Sequence, residues 1–311
     1  MKLSTSKNTN HIGTLFFVAL LSTAFGGTGC SIQKFAVNAT GDIIDNTITV
    51  LYQKSDIEFA KNALPENLLL VEGLIKSNPD NTALLLQAVM GYTGYALGFV
   101  EDTDPERAPA YYATARDYGF RLLSRNSSLK NTLDGRLENF ETALQKTNKK
   151  DVPALFWAAN AWGSYIKSNP GDMEALSNIG KVQALMMRVV ELDETYYYGS
   201  AHLFLGIIEM VKGIAGNREA AKNHFEKALK IADGKFLLTQ ALYARYYAVG
   251  TDDEKLFTET LQKVLDTSGE VCPEFRLINE IAKKKAQWYL DHKSDWFGNK
   301  ATVTLPGGMD W

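Results

Sequence analysis

The pentapeptide Ile75-Lys76-Ser77-Asn78-Pro79 returns unchanged as Ile166-Lys167-Ser168-Asn169-Pro170. Each copy closes a stretch in which apolar residues recur every three or four positions, the helical period. Asn-Pro has a physical reason to stand there. Proline cannot extend the helix that ends, because it lacks an N–H and its ring clashes with the preceding turn, but it is tolerated at the start of the next helix. An acidic residue and another long periodic stretch follow each copy, through Asp80 and Asp172. A long-period internal repeat points to stacked helical hairpins in preference to a simple bundle.

Outward from this repeat, strand signals are nearly absent, and the eight prolines punctuate without clustering. The periodicity predicts helices over 41–54, 56–62, 65–77, 80–101, 105–125, 129–147, 152–168, 172–192, 199–214, 217–232, 236–249, 253–267 and 274–292. Asp104-Pro105-Glu106 reads as an N-cap, a first-turn proline and an acidic first turn. Thr251-Asp252-Asp253-Glu254 has the spacing of a capping box. The tetratricopeptide pattern (TPR) places a small residue where two helices cross, then Ala-x3-aromatic-x2-Ala in the second helix. Ala221, Phe225 and Ala228 fit it after Leu205-Gly206, and Ala108, Tyr112 and Ala115 fit it after Gly91 and Gly94. Ala158, Trp162 and Tyr165 fit loosely. The fold class expected is all-α, a degenerate TPR-like helical-hairpin solenoid over 30–294 with an irregular tail over 295–311.

The N-terminus sets the expected compartment. Lys2 and Lys7 precede an apolar run from Ile12 to Phe25, then Gly26-Gly27-Thr28-Gly29 stand before Cys30. A positive region, a short apolar core and a small-residue cleavage site describe a secretory signal peptide over 1–29. The run is short for a membrane span, which takes about 20 apolar residues. Cys30 behind Thr-Gly resembles the lipobox of bacterial lipoproteins, in which the thiol is acylated. Gly27 departs from that pattern, which has Leu, Val or Ile three residues before the cysteine. Cleavage by ordinary signal peptidase behind a small residue is the competing reading. With Ser31 after the cysteine, a lipoprotein would be placed on the outer membrane, facing the periplasm.

The chain carries a formal net charge of −3 and has no long basic run, a poor footing for nucleic-acid binding. If Cys30 is acylated, Cys272 has no intramolecular partner and reads as a small apolar filler beside Pro273. His202, His224 and His292 lack an HExxH pattern or a cysteine partner, so no metal site is expected. There is no GxSxG elbow, phosphate-binding glycine loop or dinucleotide fingerprint, so no cofactor and no enzymatic activity are expected. Lys283-Lys284-Lys285 reads as a solvated helix face. Aromatic residues carry more information. Tyr196-Tyr197-Tyr198 lead into the run ending at Gly206, and Phe236, Tyr243, Tyr246 and Tyr247 follow. In a hairpin stack the first helices line the concave face. His202, Tyr243 and Tyr247, with Lys235 near the edge, are therefore the candidate ligand-binding residues; inter-repeat core packing is the alternative for such an aromatic stripe.

The run Tyr196-Tyr197-Tyr198-Gly199-Ser200-Ala201-His202-Leu203-Phe204-Leu205-Gly206 resembles a hallmark of the T-component (TatT-like) lipoproteins associated with TRAP transporters. Ala221-Lys222-x-His224-Phe225-Glu226-Lys227-Ala228, Gly234-Lys235-Phe236-Leu237 and Leu277-Ile278-Asn279-Glu280-Ile281-Ala282-Lys283-Lys284-Lys285-Ala286 resemble it too. Upstream, Tyr112-x2-Ala115-x2-Tyr118-Gly119 and Pro153-Ala154-Leu155-Phe156-Trp157-Ala158-Ala159 fit the same family in order. The resemblance spans residues 30 to 292. It implies a periplasmic, lipid-anchored helical protein that self-associates and partners a solute-binding protein, the P-component, which serves a sodium-coupled permease. It also implies a pore or cleft for an apolar ligand. The alternative is a TPR lipoprotein scaffold of an envelope-assembly machine. If Cys30 is acylated, Cys30→Ser moves the protein from the membrane to the soluble periplasmic fraction, because each buried acyl methylene contributes about 0.8 kcal/mol. An unchanged membrane fraction contradicts the anchor.

Overall fold

The computed structural model describes residues 43–44 and 46–298, together with the backbone of 304–305 and 309–310. The expected signal peptide over 1–29 and Cys30 lie outside the described residues. The described chain is helical apart from an antiparallel strand pair, Thr304–Leu305 with Met309–Asp310. Its helices are α1 (Ile57–Ser77), α2 (Thr82–Tyr95), α3 (Ala108–Leu123), α4 (Leu137–Leu144) and α5 (Val152–Ser168). Then come α6 (Met173–Ser177), α7 (Ile179–Asp193), α8 (Tyr196–Val211) and α9 (Arg218–Ala232). The last are α10 (Leu237–Tyr243), α11 (Glu254–Asp266), α12 (Arg276–Asp291) and the single turn α13 (Ser294–Phe297). Wide π-helical turns, Ala96–Val100 and Ala244–Ala248, extend α2 and α10.

The repeated pentapeptide makes the same turn twice. Asn78 caps the end of α1 at φ −140°, ψ 77°, and Asn169 caps α5 at φ −131°, ψ 60°. Each turn is closed by a bond from the residue three positions on, Asn81 N–H to the Asn78 carbonyl and Asp172 N–H to that of Asn169. Proline suits the second position of such a turn, where its fixed φ is already correct. The same closing residues then cap the next helices. The Asn81 side chain accepts from the backbone N–H groups of Ala83 and Leu84, and that of Asp172 from Ala175.

Several expected boundaries move. The breaks predicted around Pro65 and before residue 80 reduce to one: α1 runs through Pro65, because its buried stripe of Ala60, Leu64, Leu68, Val71 and Ile75 continues across the proline. Packing of one apolar face outweighs the lost N–H. The helix predicted over 129–147 shrinks to α4, since Asn126 folds back on the Ser128 N–H and donates to Asp151, holding the preceding stretch in tight turns. The helix predicted over 172–192 breaks at Asn178. The α11 cap is Asp253, which accepts from Leu256 N–H, while the Thr251 hydroxyl donates to the Tyr247 carbonyl. Asp104 likewise stands one turn before α3, which begins at Ala108. In the tail expected to be irregular, α13 buries Trp296 against Phe257 and Tyr289.

Neighbouring long helices pack on one another: α2 on α3, α3 on α5, α5 on α7, α7 on α8 and α8 on α9. Small residues sit at the crossings. A Cβ on Gly119 would stand 3.2 Å from Ala158 Cα, and one on Gly206 3.0 Å from the Phe225 ring. Ala221, Phe225 and Ala228 are fully buried, as are Tyr112 and Ala115. Thr82–Val100 is long and apolar enough to cross a membrane, but Leu84, Leu85, Ala88 and Val89 are fully buried within the helical core.

The C-terminal helices then return to the beginning. A third core cluster joins Ala60 and Leu64 of α1, Ala96, Phe99 and Val100 of the first π turn, and Leu277 and Ile281 of α12. The approach is close, since a Cβ on Gly98 would lie 3.1 Å from Ile281 Cδ1. At the start of α8 the backbone takes three left-handed residues in succession, Tyr197, Tyr198 and Gly199, at φ 48°, 56° and 72°. For the tyrosines this costs on the order of 1–2 kcal/mol each. Their packing offsets it: Tyr198 stacks on Phe236 at 5.2 Å, and Tyr197 meets the edges of Trp157, Phe236 and Phe275.

Gly206→Leu is expected to force α8 from α9, where the Phe225 ring leaves no room for a branched side chain. Overpacking of this kind costs about 1–3 kcal/mol, read as a lowered melting temperature. A variant melting with the wild type contradicts the crossing.

Candidate functional site

The returning helices border a partly open cavity of about 610 Å³. Its wall is mostly apolar and draws on much of the chain: Leu64 from α1, Met90 and Gly94 from α2, Phe156 from α5, and Phe204 and Ile207 from α8. Leu242 closes it from α10, and Ile278 and Trp288 from α12. A space of this size falls in the range of small-molecule sites, about 300–1,000 Å³.

Apart from Lys212, which pairs with Glu209 at 2.8 Å, the charged groups in the wall cluster where the two π turns face α12. A π turn inserts an extra residue and re-aims the side chains around it, which is why such turns gather at functional sites. The first ends in Glu101 and Asp102, and the second contains Arg245 and Tyr246. Glu101 receives the Tyr112 hydroxyl at 2.7 Å, Lys167 Nζ at 3.0 Å and Lys285 Nζ at 3.0 Å. Lys285 also pairs with Asp102, and Lys167 donates to the Tyr246 hydroxyl at 3.3 Å. Burial works to raise the Glu101 carboxyl, but the charges of Lys167 and Lys285 and the Tyr112 hydroxyl overcome it and hold it at about 2. Burial works equally to lower Lys285, and Tyr289, Glu101 and Asp102 hold it well above its ordinary range. Both groups stay ionised across the physiological range.

Arg245 differs. It is 3% exposed and lines the cavity, and neither Nη1 nor Nη2 has a hydrogen-bond partner among the described residues. Its guanidinium lies 4.2 Å above the Trp296 ring and 5.5 Å from that of Tyr246. Burial lowers its proton affinity, although the pull of Tyr246, Tyr289, Asp102 and Glu101 opposes the shift.

The four residues singled out in the sequence stand elsewhere. His202 is fully buried, with its Nδ1 2.9 Å from Nδ1 of His224, so one neutral ring donates to the other. Burial lowers both imidazoles, that of His224 to about 4 with the help of His202 and Lys227. Tyr243 and Tyr247 are half-buried, stack at 5.1 Å and present their edges and faces to Phe225. Lys235 is exposed and pairs with Asp233 at 3.4 Å, while its carbonyl accepts from Asn279. None of the four belongs to the cavity wall, which takes the neighbouring positions Leu242, Arg245 and Tyr246 instead. On a helix, Arg245, two residues from both Tyr243 and Tyr247, points to the side opposite them.

Lys285 corrects the reading of Lys283-Lys284-Lys285 as a solvated face: Lys284 is exposed, but Lys285 is buried. The sequence held a signal for it. Ile281, Lys285 and Tyr289 are four apart on one stripe of α12, and a lysine on an apolar stripe is a buried charge in need of partners. Arg245 carries the same mark, with Ala241 and Val249 four residues to either side, and Leu242 and Ala248 three.

The profile of a protein family described as "TRAP transporter T-component" matches residues 53–297. An uncharacterised protein of Treponema pallidum (strain Nichols) is 21% identical over 301 residues, which covers 86% of this chain and 93% of that protein. The chain belongs to the TRAP transporter T-component family.

Proposed function

We propose that this T-component is periplasmic, held to the outer membrane through a lipid on Cys30, and that it holds a small hydrophobic organic ligand in its central cavity while engaging the solute-binding protein of its transporter. Membership of the family supports the association with a transporter and with its other subunits. The cavity is the observation that carries the ligand. It is a mostly apolar space of about 610 Å³ with a small number of polar and charged groups in its wall. That is the usual build of a small-molecule site, in which apolar walls supply affinity and a few fixed polar groups supply orientation.

In this reading the hairpins are degenerate TPR-like units, and α12 closes their stack on itself. Self-association of the chain belongs to the same proposal. His202, Lys235, Tyr243 and Tyr247 do not touch the cavity ligand. Tyr243, Tyr247 and Lys235, which retain exposed atoms, are available to a protein partner instead. A scaffold of an envelope-assembly machine is the second reading; a large apolar cavity favours the first, because a scaffold needs only an outer surface.

Gly94 gives a clean test. It lines the cavity, and a Cβ built on it meets nothing within 4 Å. Gly94→Phe is expected to fill the space without a clash, and replacing a mid-helix glycine removes a penalty of up to about 1 kcal/mol. The variant should melt at or above the wild-type temperature and lose the fluorescence of Nile red, a neutral apolar dye, that the wild type acquires on binding it. A folded variant that binds the dye as the wild type does contradicts the cavity as the site.

A further inference from the structure

A helical stretch over residues 46–52 precedes α1 and forms part of the cavity wall. Its side chains divide between two faces. Asn46, Thr47, Thr49 and Val50 are exposed, whereas Ile48 and Tyr52 are half-buried and Leu51 is buried. Ile48, Leu51 and Tyr52 all line the cavity. Residues three and four apart share one face of a helix, so this stretch turns one face to the cavity and the other to solvent. On that side the wall is one helix thick.

Its attachment differs from that of the other walls. The connector Gln53-Lys54-Ser55-Asp56 is exposed throughout. Lys54 N–H closes the first helix on the Leu51 carbonyl at 3.0 Å, and Asp56 caps α1 by accepting from Phe59 N–H at 2.9 Å. By contrast, α2, α5 and α8 pack against long neighbours, and Lys285 pins α12 to Glu101. Segments with little buried surface open at the lowest free energy.

We propose that residues 46–52 form the gate of the cavity, moving on the connector 53–56 to admit and release ligand, with Tyr52 as its latch. The inference rests on the reading of the cavity as a ligand site. Tyr52 reaches from the gate into the body of the protein. Its ring lies 5.5 Å from that of Phe275, and its hydroxyl shares a hydrogen bond with the hydroxyl of Tyr197. Tyr197 also lines the cavity and holds its backbone in the left-handed region, at φ 48°. Strain of that kind persists only where the surroundings fix it, and it gathers at ligand clamps and switch regions. Leu51 adds an apolar contact, in the cluster that contains Leu64 and Leu277.

The test is the exchange kinetics of Nile red on the mature protein, followed by stopped flow for the wild type, Tyr52→Phe and Leu51→Ala. A gate and a wall contact leave different signatures. Loosening a gate raises the association and dissociation rate constants together and leaves Kd in place, whereas losing a contact with the dye raises dissociation alone. Tyr52→Phe removes only the hydroxyl and is expected to raise both rate constants about threefold to tenfold, the scale of one hydrogen bond. Leu51→Ala should raise both as well. If the dye associates no faster with either variant, the gate is overturned while the apolar site stands. If the wild type binds no dye, the ligand site itself falls and the gate with it. Hydrogen exchange of the wild type decides even where a variant does not fold. The amides of 46–52 are expected to exchange about tenfold or more faster than those of α5 and to slow when the dye is bound. Protection equal to that of α5, or exchange indifferent to the dye, overturns the gate.

Discussion

The Glu101 carboxylate holds the ends of this fold together. It lies at the end of the first π turn and takes hydrogen bonds from three helices: Tyr112 of α3, Lys167 of α5 and Lys285 of α12, the last 184 residues away in sequence. A buried ion pair contributes little net stability, because desolvation of both charges cancels most of their attraction. Its effect is positional. Removing one partner leaves an unmatched charge in the interior, at about 3–5 kcal/mol, so any packing that carries Lys285 away from Glu101 is heavily disfavoured. The apolar contact of Ile281 with the turn around Gly98 acts in the same place and direction.

The cavity follows from that closure. Helices drawn into a ring leave a space at the centre, and the helix faces toward it are apolar because they are also core faces. Its wall combines regular helix faces with irregular backbone. The two π turns and the left-handed run Tyr197-Tyr198-Gly199 all border it. Gly199 is required there twice over, by its φ of +72° and because a Cβ would press to 2.9 Å on Ile231.

The helical class was legible because it is written in period and punctuation. The two Ile-Lys-Ser-Asn-Pro copies end helices with nearly the same dihedrals, and the Ala-x3-aromatic-x2-Ala spacings fall on fully buried residues. The site was harder to read, for a physical reason. Lys76 and Lys167 occupy the same position of identical pentapeptides, yet only Lys167 meets Glu101. What distinguishes them is the approach of α5 to the π turn that ends α2, 66 residues away, a contact that no local pattern encodes. The π turns are equally silent in sequence. Charges on apolar stripes were the available clue at Lys285 and Arg245.

Closure by Glu101 and Lys285 is most directly tested by a double-mutant cycle with Glu101→Gln and Lys285→Met, read by chemical unfolding of the mature protein. Each single variant leaves the other charge buried and should be strongly destabilised. The double variant should be less destabilised than the sum of the two, with a coupling of about 1–3 kcal/mol, the upper part of the range for residues in one buried network. Additive losses would show that the two side chains do not meet in the folded protein, and that α12 does not close the ring.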